Sequence, residues 1–299
     1  MSSVIYVKIK WLNERSEIAM IVDIHTHLGG VRSWYRGLKG IVFSGLNDLL
    51  SYMSDTSIDR AVILPTPGVD RILGEYLYSY DMICRINRIY QQLMVFCYVD
   101  PWSPRVEHMI EEYVSRGAIG FGEYKVKLPI DHPYSLEVYR VCGELGIPIL
   151  LHIDDRHNYG VETVFRDVAS KYSKTIFIMH GPGWWKHISS IPSCETYPRG
   201  SVSPGGLIEK ILESFYNVYA DISATSGYNA LDRDRGHAKL FLEKYSSRIL
   251  FGTDFPCIDM HGGQYGVDKL HLNLLEALDL KDKTMNNILY KNAERILKR

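Results

Sequence analysis

Two histidines one residue apart, His25 and His27 in VDIHTHLGG, stand where an apolar run ends and a glycine pair begins. On an extended strand both imidazoles point to the same side, so two neutral ring nitrogens are offered to one point. That is half of a metal site, and alone it is equally the mark of two hydrogen-bonded histidines at a strand end. The same placement recurs along the chain. AIGFGEYK brings Glu123 and Lys125, PILLHI brings His152, TIFIMH brings His180, NVYADIS brings Asp221 and RILFGTD brings Asp254. Each acid or histidine follows an apolar run at the point where the chain leaves the core. Imidazole and carboxylate without thiolate suit zinc, manganese, iron or nickel, and argue against a structural cysteine site.

Elements that could bring these residues together are legible from residue 20 onward. Strand candidates cover 20–25, 60–65, 93–100, 118–125, 148–153, 175–180, 217–223 and 248–254. They read as continuous apolar runs, as expected for parallel strands covered on both faces. Between them lie amphipathic stretches such as 135–146 and 161–173, the first ending on a glycine. The strand ends recur about every 33 residues, the size of one βα unit. Eight such units imply an α/β fold, a (β/α)8 TIM-type barrel whose site forms at the carboxyl ends of the strands. A doubly wound open sheet would need a glycine-rich phosphate turn after the first strand, and HTHLGG is not one.

Residues 1–19 form an amino-terminal extension, with 20–299 as the barrel. Within the extension, Ile5, Val7, Ile9 and Trp11 alternate with Lys8 and Lys10, which predicts one extra half-exposed strand over 4–11. The extension lacks a secretory pattern, and Met20 is a second candidate start. Residues 281–298 read as a final helix on the barrel wall. The long loop from Gly181 to about Pro204, rich in Trp, Pro and Gly, is of a kind that is usually functional.

Composition excludes other classes. The 299 residues are 46% hydrophobic and 23% charged with net charge −1, an ordinary globular balance with no basic footprint for nucleic acid or an anionic membrane. No apolar run approaches the roughly 18 residues that span a bilayer. Five scattered cysteines, never spaced C-x-x-C, fit free thiols in a reducing cytoplasm. The expected partner is a small-molecule substrate.

His-x-His on strand one, histidines on strands five and six and Asp in FGTDFP resemble the metal-dependent amidohydrolase superfamily. The branch that HGPGWW and YKNAERIL most resemble contains small amidohydrolase-related hydrolases and decarboxylases. The resemblance implies that His25, His27 and Asp254 hold one divalent metal, zinc being the expected ion. His152 and His180 would hold a second or tune the first. The strand-four residue bridges two metals in binuclear members, and here either Glu123, already an anion, or a carbamylated Lys125 fits; Glu123 is the simpler bridge. A homodimer is implied by the family resemblance alone.

Metal-activated water would attack a carbonyl, with Asp254 shuttling the proton to the leaving group. Lys125 and Arg199 would grip a substrate carboxylate. Trp184 and Trp185 would shield the site as part of a lid, although a tryptophan pair packed on the rim fits the same residues. Asp221 is read as a backbone partner or helix cap, and residues 154–157 either as a solvated charged loop with one Asp supporting the site or as substrate-binding residues. Three functions then compete: a metal-dependent hydrolase of an amide, lactone or ester bond, a non-oxidative decarboxylase, and a metal-stabilised binding barrel.

Overall fold

The computed structural model describes residues 20–35, 38–65, 80–191 and 193–297. Strand β1 (Val22–Thr26) leads into a hairpin, β2 (Gly29–Tyr35) and β3 (Leu38–Ser44), and helix α1 (Leu46–Thr56). Strands and helices then alternate: β4 (Arg60–Ile63), α2 (Tyr80–Ile89), β5 (Leu93–Val95), α3 (Val106–Ser115), β6 (Phe121–Tyr124) and α4 (Pro133–Leu145). They continue through β7 (Ile149–His152), α5 (Val161–Lys171), β8 (Phe177–His180), a short α6 (Pro182–Trp185) and α7 (Leu207–Ser214). Next come β9 (Val218–Asp221), α8 (Ala224–Asp232), α9 (Arg235–Tyr245), β10 (Ile249–Leu250) and α10 (Leu270–Ala277). The chain ends in α11 (Asp282–Asn286), a π-helical turn over Asn287–Lys291 and α12 (Asn292–Ile296).

Eight strands run parallel, in the orders β1-β4-β5 and β10-β9-β8-β7-β6. Two seams join these sheets. Ile119 N–H donates to Val95 O at 2.9 Å and Cys97 bridges Phe121, linking β5 to β6. Ile24 N–H donates to Phe251 O at 3.1 Å and Thr26 bridges Phe255, linking β1 to the segment after β10. The ring is therefore closed, a (β/α)8 barrel as the repeat of apolar runs implied. All eight expected strands are present, shorter than their apolar runs.

One set of strand side chains, including Val22, Val62, Met94, Leu150, Ile178, Tyr219 and Leu250, clusters with Ala293 and Ile296 of the closing helix. This is the barrel interior, and the opposite set packs on the surrounding helices. Local signals set the helix ends. In α4, Pro133 occupies the first turn, His132 accepts from Tyr134 N–H, and Gly146 at φ 66° ends the helix in a left-handed turn. The interior alternation continues outward to His152, His180 and Asp221. It breaks in β1 and β6, where the register shifts between Asp23 and Thr26 and between Phe121 and Tyr124. These two irregular strands carry the His-x-His pair and Glu123, in keeping with bulges that re-aim side chains beside sites. Gly122, at φ 129°, is required there, because a Cβ would lie 2.6 Å from Leu150 O.

The sequence reading did not anticipate the β2–β3 hairpin. The expected final helix is interrupted by its π turn, and the long loop contains α6. The strand expected over 4–11 lies outside the described residues.

Candidate metal centre

At the carboxyl ends of the barrel strands, two groups of three side chains bring ligand atoms within 4.8 Å of one another: His25, His27 and Asp254, and His25, Glu123 and His180. Second-layer hydrogen bonds decide which ring nitrogens are free. His27 Nδ1–H donates to the carbonyl of Leu64 at 2.9 Å, and a carbonyl can only accept. The neutral ring therefore presents its Nε2 lone pair, 3.1 Å from Asp254 Oδ1. His25 Nδ1 lies 2.7 Å from Asp221 Oδ2. This leaves His25 Nε2 buried without a hydrogen-bond partner, 3.5 Å from the same Asp254 oxygen.

Two ring nitrogens and a carboxylate oxygen that converge on one point fit a cation, which would take the place of the proton in the His27–Asp254 contact. Two ligands about 2.0 Å from a tetrahedral ion stand about 3.3 Å apart, close to both separations. The residues thus fit a divalent metal, and the two groups share His25 with its single free nitrogen.

Electrostatics support the same conclusion. Burial opposes protonation of His25, but Asp221, Asp254 and Glu123 outweigh it and raise the ring to about 9, so the pocket favours a positive charge at this point. Burial alone would neutralise Glu123, yet Lys125 and His152 hold it well below the usual carboxylate range. Asp254 is likewise lowered despite burial, chiefly by His27 and His25. His180 is lowered by burial and by the neighbouring His25.

Asp221 is the residue whose role the sequence reading understated. It is completely buried, and its Oδ2 lies 2.7 Å from His25 Nδ1, 3.3 Å from His180 Nδ1 and 2.6 Å from Ser223 Oγ. It orients two histidines at once. Its position at the end of an apolar run was the available signal.

His152 belongs to neither group of three. Its Nδ1 is 2.7 Å from Glu123 Oε1, outside hydrogen-bonding geometry, and its Nε2 is 3.3 Å from Asp154 Oδ2. Asp154 also lies 2.9 Å from His157 Nδ1, so the loop after β7 contributes one carboxylate beside the site. Lys125 is half-buried and has no hydrogen-bond or ion-pair partner among the described residues, and its charge acts on Glu123.

Trp185 corrects the lid expectation. It is 2% exposed, its Nε1–H donates to Asp221 O at 2.9 Å, and its ring packs against Phe241. Trp184 is also buried, against Phe165. Both hold the barrel wall, because α6 begins directly after β8 and turns them inward. Arg199 is exposed and makes no ion pair with the cluster. Tyr197, from the same loop, is exposed at its surface, and its phenol is raised by partial desolvation and by the charges of Asp254 and Asp154. The neighbouring backbone is pinned, with Asn229 donating to Pro198 O at 3.0 Å and Val202 N–H to Asp234 at 2.9 Å.

Fold and donor set together define a barrel whose carboxyl rim gathers side chains that fit a metal. The amidohydrolase family model matches residues 22–299, and the chain belongs to that family. The resemblance seen in the motifs is thereby shown. Among solved structures, one assigned as a 2-pyrone-4,6-dicarboxylic acid hydrolase from Pseudomonas putida is 16% identical at TM-score 0.62, covering 93% of this chain and 97% of the other. A dihydroxybenzoic acid decarboxylase from Polaromonas, with bound manganese and 2-nitroresorcinol, is 14% identical at TM-score 0.58, covering 93% and 96%. A search of curated proteins finds no match. Among the described residues no helix is long and apolar enough to cross a membrane.

Proposed function

We propose that this chain is a metal-dependent hydrolase of an amide, lactone or ester bond in a small molecule that carries an anionic group, with Asp254 moving the proton. The observation that carries the reading is the exposure of Asp254. Its side chain is 18% open, whereas those of His25, His27 and His180 are at most 3% open. Oδ1 faces the two histidines, the Cys257 thiol hydrogen-bonds the same carboxylate, and the lowered pKa keeps the group ionised, and so able to take a proton, at neutral pH.

His25, His27 and Asp254 would hold one ion, zinc by its preference for such donors, with Glu123 and His180 beside it. That ion supplies Lewis acidity and brings the pKa of bound water towards about 7. Lys125, unpaired and half-buried, anchors the anionic group of the substrate. The similar structures named for carboxylic acids support that choice. Among the described residues, Glu123, Asp154, Asp221 and Asp254 gather around the site with Lys125 beside them. So much negative charge favours a neutral bond, rather than a second carboxylate, at the reacting position.

Non-oxidative decarboxylation is the second reading, favoured by the sharing of His25 between the two groups, which suits one ion. The test is metal-saturated protein against lactones, esters and amides bearing a carboxylate, alongside hydroxybenzoates, with titration of released acid and of carbon dioxide. Hydrolysis is expected, with Asp254→Asn lowering kcat by ~10²–10⁴-fold at saturating metal. Carbon dioxide without hydrolysis would replace the reading by the second one, and unchanged turnover in Asp254→Asn would remove the shuttle.

A further inference from the structure

We infer that Asp23, through Thr253, is a positioning residue that sets the spacing between the His25–His27 pair and Asp254. This rests on the metal reading above. Asp23 is fully buried two residues before His25 and lies outside the groups that would meet an ion. Its carboxylate accepts four hydrogen bonds from three elements. Oδ1 takes His25 N–H at 3.0 Å and Thr253 N–H at 3.1 Å, while Oδ2 takes Thr253 Oγ1–H at 2.6 Å and the Tyr52 hydroxyl of α1 at 2.7 Å. Two of these donors are the peptide of one candidate ligand, His25, and the peptide immediately before another, Asp254.

The contacts fall where the barrel has least regular pairing. β1 and β10 share no ladder, only a bridge at Thr26–Phe255 and a few flanking hydrogen bonds. The carboxylate of Asp23 supplies the acceptors that a neighbouring strand would otherwise provide. Asp254 itself is held at φ 73°, a left-handed conformation that a non-glycine residue keeps only where its surroundings over-determine it. Both chain neighbours of Asp254 are tied to the clamp. Thr253 bonds Asp23 through backbone and hydroxyl, and Thr253 Oγ1 accepts from Phe255 N–H at 3.2 Å. The Tyr52 ring stacks on Phe255 at 4.6 Å. Helix α1, the β1 register shift and the turn bearing Asp254 are thus fixed to one another by a single carboxylate outside both ligand groups.

The test uses Thr253→Val, which keeps shape and N–H but loses the hydroxyl, Thr253→Ser as the conservative rescue, and Tyr52→Phe as a milder variant that keeps the stacking. Each is loaded with Co²⁺, and the dissociation constant, the visible absorption spectrum and the metal-free melting temperature are recorded. Thr253→Val should bind Co²⁺ about tenfold or more weakly and show an altered spectrum, with Thr253→Ser returning both towards wild type and Tyr52→Phe falling between. A lowered melting temperature with unchanged affinity and spectrum in Thr253→Val would overturn the positioning role and leave the metal reading standing. Wild-type protein that takes up no Co²⁺ would overturn both.

Discussion

Replacing Asp221 by Asn tests whether the His25 ring is held in the tautomer that a metal needs. In the native site Asp221 Oδ1 accepts Ser223 N–H at 2.9 Å, while Oδ2 meets His25 Nδ1 at 2.7 Å and Ser223 Oγ at 2.6 Å. An asparagine keeps its oxygen on Ser223 N–H, so its NH₂ group replaces Oδ2. Two donors would then face each other across 2.7 Å, and the ring would move its proton to Nε2. That nitrogen is the one left free beside Asp254. Loss of such an outer partner typically costs 10–100-fold in metal affinity, or about 1.4–2.8 kcal/mol. Removing the carboxylate also removes the strongest influence raising His25, so the metal-free ring should titrate below its present value of about 9. Competition with a chromophoric chelator measures the first effect, and histidine NMR on metal-free protein the second. Wild-type affinity in Asp221→Asn would refute the tautomer argument, and with it the placement of His25 on the ion.

Two further outcomes follow from groups outside the ligand cluster. Trp185→Ala should destabilise the fold by about 3–5 kcal/mol, read by denaturant unfolding, with KM nearly unchanged, because the ring is a wall element and not a lid. A raised KM with little loss of stability would restore the lid. Asp268 is pushed up to about 7 by burial and by Asp259 facing it, so the folded protein binds its proton more tightly than the unfolded chain does. Its stabilising contribution is complete below the ordinary value near 3.9 and is lost as pH rises through about 7. Half-exposed as it is, the pair should be worth no more than about 1–2 kcal/mol after solvent screening. Asp268→Asn should flatten this part of the melting profile between about pH 4 and 7; an unchanged slope would show that the two carboxyls do not share a proton.

What the sequence made legible was whatever depends on period and on strand ends. The eight apolar runs and their spacing required a closed parallel barrel, and the residues that end those runs include His25, His27, His180 and Asp254, which the fold gathers on one rim. Glu123 was legible by type and its geometry was not, because a register shift and a φ 129° glycine turn it into the site and neither leaves a periodic mark. Trp185 misled because aromatic residues in a loop rich in glycine and proline look alike whether they face solvent or core. The loop begins as a helical turn directly on β8, and that turn sends the ring inward.

The least legible feature was the tier beneath the ligands. Asp221, Asp23 and Thr253 act through other residues, so their value depends on distances between segments some 200 positions apart in the chain. Yet the free nitrogen of His25 exists only because Asp221 occupies the other one. The angle at which Asp254 meets that nitrogen depends in turn on a backbone held at φ 73° between two tethered neighbours. A histidine pair at a strand end becomes half of a metal site only when such partners fix its tautomer and its distance to the carboxylate. The physical difference between the two readings of VDIHTHLGG therefore lies in Asp221 and Asp23 at least as much as in the histidines.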